Sequence, residues 1–147
     1  MAGEDNNLPQ HSPKMLKWFA RYCRWYVPRR FHRVMISGDL SALTNETDSG
    51  SFIFYMNHPG WYDPLIGVLI SDLYFENLKQ FACIDADMLE QYRFFEKMGF
   101  IGIEQDSPRG GVQFLRQALK VLDGDGRALW LTAQGEFADV RQRPVVL

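Results

Sequence analysis

His58 and Asp63 lie five residues apart in the stretch Met56-Asn57-His58-Pro59-Gly60-Trp61-Tyr62-Asp63-Pro64. An imidazole held by a carboxylate has one fixed tautomer and can take a proton from a hydroxyl near neutral pH. That spacing lets a loop curl so that the two side chains meet. A plainer reading also fits, in which a polar histidine sits in a surface turn and Asp-Pro starts a helix. Two features favour chemistry. Gly60, Trp61 and Tyr62 are unusual material for a solvent turn, and the stretch follows a strand, outside whose carboxyl end ligands bind in α/β folds.

The flanking elements must position this pair. The β-formers Ser51–Met56 predict a strand leading in, and the apolar pattern of Pro64–Phe75 predicts a buried helix leading out, with Asp63 as its N-cap. Further strands are expected at Phe31–Ser37, Phe81–Ile84, Phe100–Glu104 and Arg127–Thr132, with a loop over 40–50. Helices are expected over 87–98, with Met88, Leu89, Tyr92 and Phe95 on one face and Gly99 as the stop, and from Ser107-Pro108 to Leu122, with Val112, Leu115, Leu119 and Leu122 inward. Strands alternating with helices predict an α/β fold, a mainly parallel sheet with helices on both faces. Right-handed connections would then bring the loops 57–62, 105–109 and 133–137 to one edge.

With 147 residues and 46% hydrophobic content the chain has enough material for one domain and its core. Residues 1–12 are expected as a polar disordered tail, 13–30 as a basic amphipathic helix ended by Pro28, and 31–147 as the α/β domain. Charge is uneven: residues 1–38 carry +5 and the remainder −7. In the helix, Lys14, Lys17, Arg21 and Arg24 share one arc, and Met15, Trp18, Phe19, Tyr22, Trp25 and Tyr26 another. That composition suits a membrane interface, where each Lys or Arg near anionic lipid adds ~1 kcal/mol. It also fits an aromatic face packed on the protein's own sheet. Nucleic acid is disfavoured by the acidic body and the lack of a recognised motif. Cys23 and Cys83 have neither disulfide-framework nor metal spacing, His11, His32 and His58 lack ligand spacing, and there is no G-x-S-x-G nucleophile motif. No secretory leader and no apolar run of ~18 residues is visible.

Asn57-His58 followed by Asp63 resembles the NH-x4-D signature of the glycerolipid acyltransferases, the family of 1-acylglycerol-3-phosphate acyltransferases. A second family block, Gly, apolar residues, an acid and an Arg, is similar to Gly99-Phe100-Ile101-Gly102-Ile103-Glu104-Gln105, with Gln105 in place of the Arg that binds the acceptor's phosphate. Arg109, at a helix mouth, offers a substitute charge, or is simply an exposed turn residue. The third block, Pro-Glu-Gly with a later Arg, is matched loosely by Ala133-Gln134-Gly135-Glu136-Phe137. The family's fourth block would lie beyond Leu147, so the resemblance implies a C-terminally truncated chain.

The resemblance implies a glycerol-phosphate-acyltransferase-like fold and transfer of a fatty acyl group from acyl-CoA or acyl-carrier protein to a lysophospholipid hydroxyl, at the cytoplasmic face of a membrane, with no metal or other cofactor. His58 and Asp63 would be catalytic, Gly135 would offer an N–H to the oxyanion, and Asn57, Glu104, Gln105, Arg109 and Gln134 would bind the acceptor. A non-catalytic lipid-surface protein of the same fold is the rival, and a thioesterase a third reading.

Overall fold

The computed structural model describes residues 8–39, 44, 50–132, 134, 137–139 and 141. Four strands, β1 (Ser51–Met56), β2 (Lys79–Asp85), β3 (Phe100–Ile103) and β4 (Arg127–Thr132), form one all-parallel sheet in the order β1-β4-β2-β3. The helices are α1 (Pro13–Arg30), α2 (Asp63–Tyr74), α3 (Ala86–Gln91) and α4 (Pro108–Leu122), with a 3-10 segment at Arg93–Met98. Because every strand runs the same way, the segments after Met56, Asp85, Ile103 and Thr132 leave from one edge of the sheet.

Period two along the strands divides the core. Phe81, Ile101 and Leu129 pack with Val121 of α4 on one face. On the other, Phe75, Leu78 and Ala128 form one cluster, and Phe19, Cys23, Val27, Leu69, Met98 and Phe100 another, which ties α1 to α2. Burial of Phe19 and Val27 contributes about 1.5–3 kcal/mol apiece. Burial also pushes the Cys23 and Cys83 thiols up to about 11, so neither is a ready nucleophile.

Sequence and structure diverge at several points, each for a physical reason. Phe31–Ser37 is not a strand: it carries β-forming residues but has no ladder to join, and Val34, Met35 and Ile36 are exposed. α1 does not end at Pro28 but runs through it to Arg30. A proline so near the end removes only one bond that the final turn can do without. The helix expected over 87–98 is broken at Tyr92 (φ −122°, ψ 62°) into α3 and the 3-10 segment, which leaves Tyr92 exposed while Leu89 and Phe95 pack inward. On α4 three of the four positions expected inward are reversed: Val112, Leu115 and Leu119 face solvent, while Leu122 packs on the Phe81 cluster, and the buried positions are Gly110 and Val121.

The polar tail expected over 1–12 is ordered from Leu8 onward. Leu8 packs against the Phe81 cluster, the Ser12 hydroxyl caps α1, and the His11 ring donates from Nε2 to the Gln80 carbonyl (2.5 Å) while lying edge-on to Phe81. Desolvation holds the His11 pKa below its ordinary value. Residues 1–7, and most of the loop 40–50, lie outside the described residues.

Gly99 locks this corner. It ends the 3-10 segment at φ +92°, and a Cβ there would overlap the Gln80 carbonyl oxygen and the His11 ring. Gly99→Ala is expected to cost about 3 kcal/mol, since left-handed strain and a clash with backbone act together. Urea unfolding checks it: a lowered midpoint with unchanged slope is the expected result.

Candidate active site

The pair His58 and Asp63 is assembled by a tight loop. Asp63 is the first residue of α2, not its N-cap; Tyr62 takes that position with helical backbone and no side-chain cap. The Asp63 carboxylate is thereby free to reach back into the loop. Its Oδ2 accepts from the Gly60 N–H (3.0 Å) and from His58 Nδ1 (2.9 Å). A carboxylate only accepts, so Nδ1 carries the proton and Nε2 is left with the lone pair. The side chains are 21% and 15% exposed, sheltered enough to be held and open enough to meet a ligand.

β4 lies beside β1, so Gln134, Phe137 and Ala138, which follow it, come to this pair. The Gln134 side chain accepts from the His58 N–H (3.2 Å), Ala138 N–H donates to the His58 carbonyl (3.0 Å), and the Phe137 ring lies 4.5 Å from the imidazole. Gln134 therefore positions the His58 backbone, a different place from the acceptor contact expected of it. Phe137, which stands where the third block would hold an Arg, forms a wall of the site with Trp61 (5.3 Å). Nothing in its spacing signals this, because the contact arises from the β1–β4 pairing across about eighty residues of chain.

The remaining expected positions scatter. Gln105 lines the cavity described below, whereas Asn57, Glu104 and Arg109 are exposed and do not line it. Arg109 opens α4 beyond β3, three strand spacings (about 14 Å) from β1. Gly135 lies outside the described residues.

His58 opens onto an apolar cavity of about 530 Å³. It begins at His58, Trp61 and Phe137, passes between α2 and the sheet, and ends near Phe75 and Gln80. Gly67 gives it width: the nearest atoms to a Cβ there would be Met56 Sδ (3.7 Å) and Trp130 Cε3 (3.8 Å). Gln80 is polar but fully engaged, accepting from Trp130 Nε1 (2.7 Å) and donating to the carbonyls of Phe75 (2.9 Å) and Leu78 (3.2 Å). Gln80 thus presents no unmet hydrogen bond to an apolar guest, although Ser71, Asp72 and Glu76 also line this part of the cavity. From Pro64 to Phe75 the cavity follows α2 for about 16 Å at the helical rise, the reach of roughly a dozen extended methylenes.

α1 leads to the same mouth. Its rings form a series from Trp18 to Tyr22 (6.3 Å), Tyr26 (5.3 Å) and then Tyr62 (6.4 Å) of the His58 loop. Trp18 and Trp25 are 65% and 53% exposed, and Arg29 lies over the Trp25 ring (4.3 Å). The aromatic arc is therefore split, with Phe19 in the core and the indoles outside.

The class defined by these observations is an α/β domain carrying a carboxylate-held histidine at the carboxyl edge of a parallel sheet, at the mouth of an apolar cavity. Comparisons with protein-family models, curated proteins and solved structures give no match to the chain. Among the described residues no group of His, Cys, Asp and Glu is arranged to hold a metal ion, and no helix is long and apolar enough to cross a membrane.

Proposed function

We propose that the protein is an O-acyltransferase that moves a fatty acyl group from an acyl thioester, acyl-CoA or acyl-carrier protein, to the hydroxyl of a lysophospholipid or similar lipid. The observation that carries this reading is the 2.9 Å bond between His58 and Asp63 at the mouth of an apolar cavity. His58 Nε2 takes the hydroxyl proton as that oxygen attacks the thioester carbonyl carbon. The tetrahedral intermediate collapses by breaking the C–S bond, and the departing thiolate receives the proton from the imidazolium. Asp63 fixes the tautomer and stabilises the imidazolium. The cavity takes the acyl chain, each buried methylene contributing about 0.8 kcal/mol. The resemblance of Asn57-His58 and Asp63 to the glycerolipid acyltransferase signature points the same way.

We place the protein at the cytoplasmic face of a membrane, held peripherally. The exposed Trp18, Trp25 and Trp61 and the exposed Lys14, Lys17 and Arg21 provide the aromatic and cationic groups that lodge at a lipid interface. Replacing both Trp18 and Trp25 by Ser is expected to weaken binding to anionic vesicles by at least tenfold, because each indole buries well over 1 kcal/mol of apolar surface. Raised salt is expected to weaken binding further. Vesicle co-sedimentation measures both effects.

A non-catalytic lipid-surface protein is the second reading, and one observation favours it: Gln105 and Gln134 stand where the resembled family has charged residues, and Arg109 is far from His58. Thiol release from palmitoyl-CoA in the presence of mixed lysolipids separates the two. Release that requires the lysolipid supports the transferase. Vesicle binding without release supports the rival, and release with no acceptor indicates a thioesterase.

A further inference from the structure

We propose that the face of the protein opposite α1 and α2 is a two-fold interface with a second copy of this chain. Ile53 and Tyr55 of β1 project on the same side of the sheet as Leu129, which pairs with Ile53 in register. α4 covers that side over β4 and β3, and reaches β1 only at its end, where Ser51 Oγ donates to the Leu122 carbonyl (2.7 Å). Among the described residues β1 is thus an outermost strand with an uncovered face, and Ile53 and Tyr55 are 42% and 69% exposed.

The helix beside this step is itself uncovered. Val112, Leu115 and Leu119 are 49%, 60% and 68% exposed, and their spacing puts them on one stripe that Leu122 continues towards β1. Arg116 lies at same-face spacing from Val112 and Leu119, so the apolar stripe meets a cation along its margin, with Arg109 and Lys120 beyond it. Each copy therefore presents a ridge, the outer stripe of α4, and beside it a step that a helix can fill, over β1. Such a surface complements itself: α4 of each copy seats on the β1 face of the other, and the contact closes at two chains.

Area supports this occupant. The five exposed side chains offer at most roughly 550 Å² per copy, so full coverage on two copies would bury about 1,100 Å², close to the ~1,000 Å² a specific interface clears. Pairing the copies edge to edge through β1 fits less well. It would leave the two α4 helices about 15–20 Å apart, whereas packed helices lie at 8–10 Å.

Light scattering after size exclusion, over a micromolar concentration series, tests the proposal on the full chain. The expected mass at high concentration is that of two chains. Leu119→Asp and Tyr55→Asp, one on the ridge and one in the step, are each expected to return it to one chain with an unchanged circular dichroism spectrum. The Trp18→Ser, Trp25→Ser variant is expected to stay dimeric. A wild-type chain that remains single throughout overturns the proposal. So does a dimer that survives both Asp substitutions, or one lost when the α1 indoles are removed.

Discussion

His58→Ala is expected to lower acyl transfer by about 10³-fold, the midpoint of what a positioned proton acceptor contributes. The fold should survive, because the ring is partly exposed and the loop keeps the bond from Gly60 N–H to Asp63. Asp63→Asn is the more discriminating change. One oxygen, Oδ2, takes both the Gly60 and the Nδ1 bond, so an amide offers one atom to the two of them. With its oxygen there both bonds remain but the charge that stabilises the imidazolium is gone. With its NH2 there the Gly60 bond is lost, the amide donates to Nδ1, and the imidazole proton moves to Nε2, the nitrogen that takes the hydroxyl proton in the proposed reaction. The same substitution in a Ser-His-Asp triad costs ~10⁴-fold in turnover with its geometry intact. Transfer rates for purified wild type, His58→Ala and Asp63→Asn check both. Turnover by Asp63→Asn within a few-fold of wild type would mean that the carboxylate only builds the loop.

Gly67→Leu is expected to change which donor is used. The position faces Met56 and Trp130 across the cavity, and the first added carbon meets ordinary contact distances of 3.7–3.9 Å. The rest of a leucine side chain then occupies the passage between mouth and inner end. Excluding about four methylenes forfeits roughly 3 kcal/mol, or about 100-fold in kcat/KM for a palmitoyl donor. An octanoyl donor, which stops short of the block, should lose little. Stability is not expected to fall, since leucine exceeds glycine in helix propensity by nearly 1 kcal/mol, roughly offsetting any crowding. A thermal melt and kcat/KM for the two donors form the test. Equal losses for both donors would place the acyl chain elsewhere.

Local chemistry made much of this structure legible in the sequence. Ser12-Pro13 and Ser107-Pro108 read as helix starts because proline suits the first helical position, and in the structure each serine hydroxyl caps the helix that follows. Gly99 read as a stop because only glycine takes φ +92° without strain. β1 and β4 were bounded by their β-formers and turns. Alternation of strands and helices gave the parallel sheet, and through it the shared edge on which the loops of His58 and Gln134 meet. The failures occur where a partner decides. Phe31–Ser37 has strand composition and no strand to pair with. The apolar period of α4 is real, but its strongest stripe faces away from the core. Val121 meets the sheet because the β3-to-β4 crossover fixes which side of the helix lies against it, and Gly110 is buried against the Glu104 carbonyl just past β3. Strand order was equally hidden: β4 between β1 and β2 puts Gln134 and Phe137 beside His58 and leaves Arg109 remote.

The most direct measurement supplies wild-type protein with palmitoyl-CoA and lysolipids in mixed vesicles and follows both products, free thiol by colour and diacyl lipid by mass spectrometry. The account predicts equal amounts of the two, with neither formed by His58→Ala. Thiol without diacyl lipid, or diacyl lipid formed undiminished by His58→Ala, would contradict it.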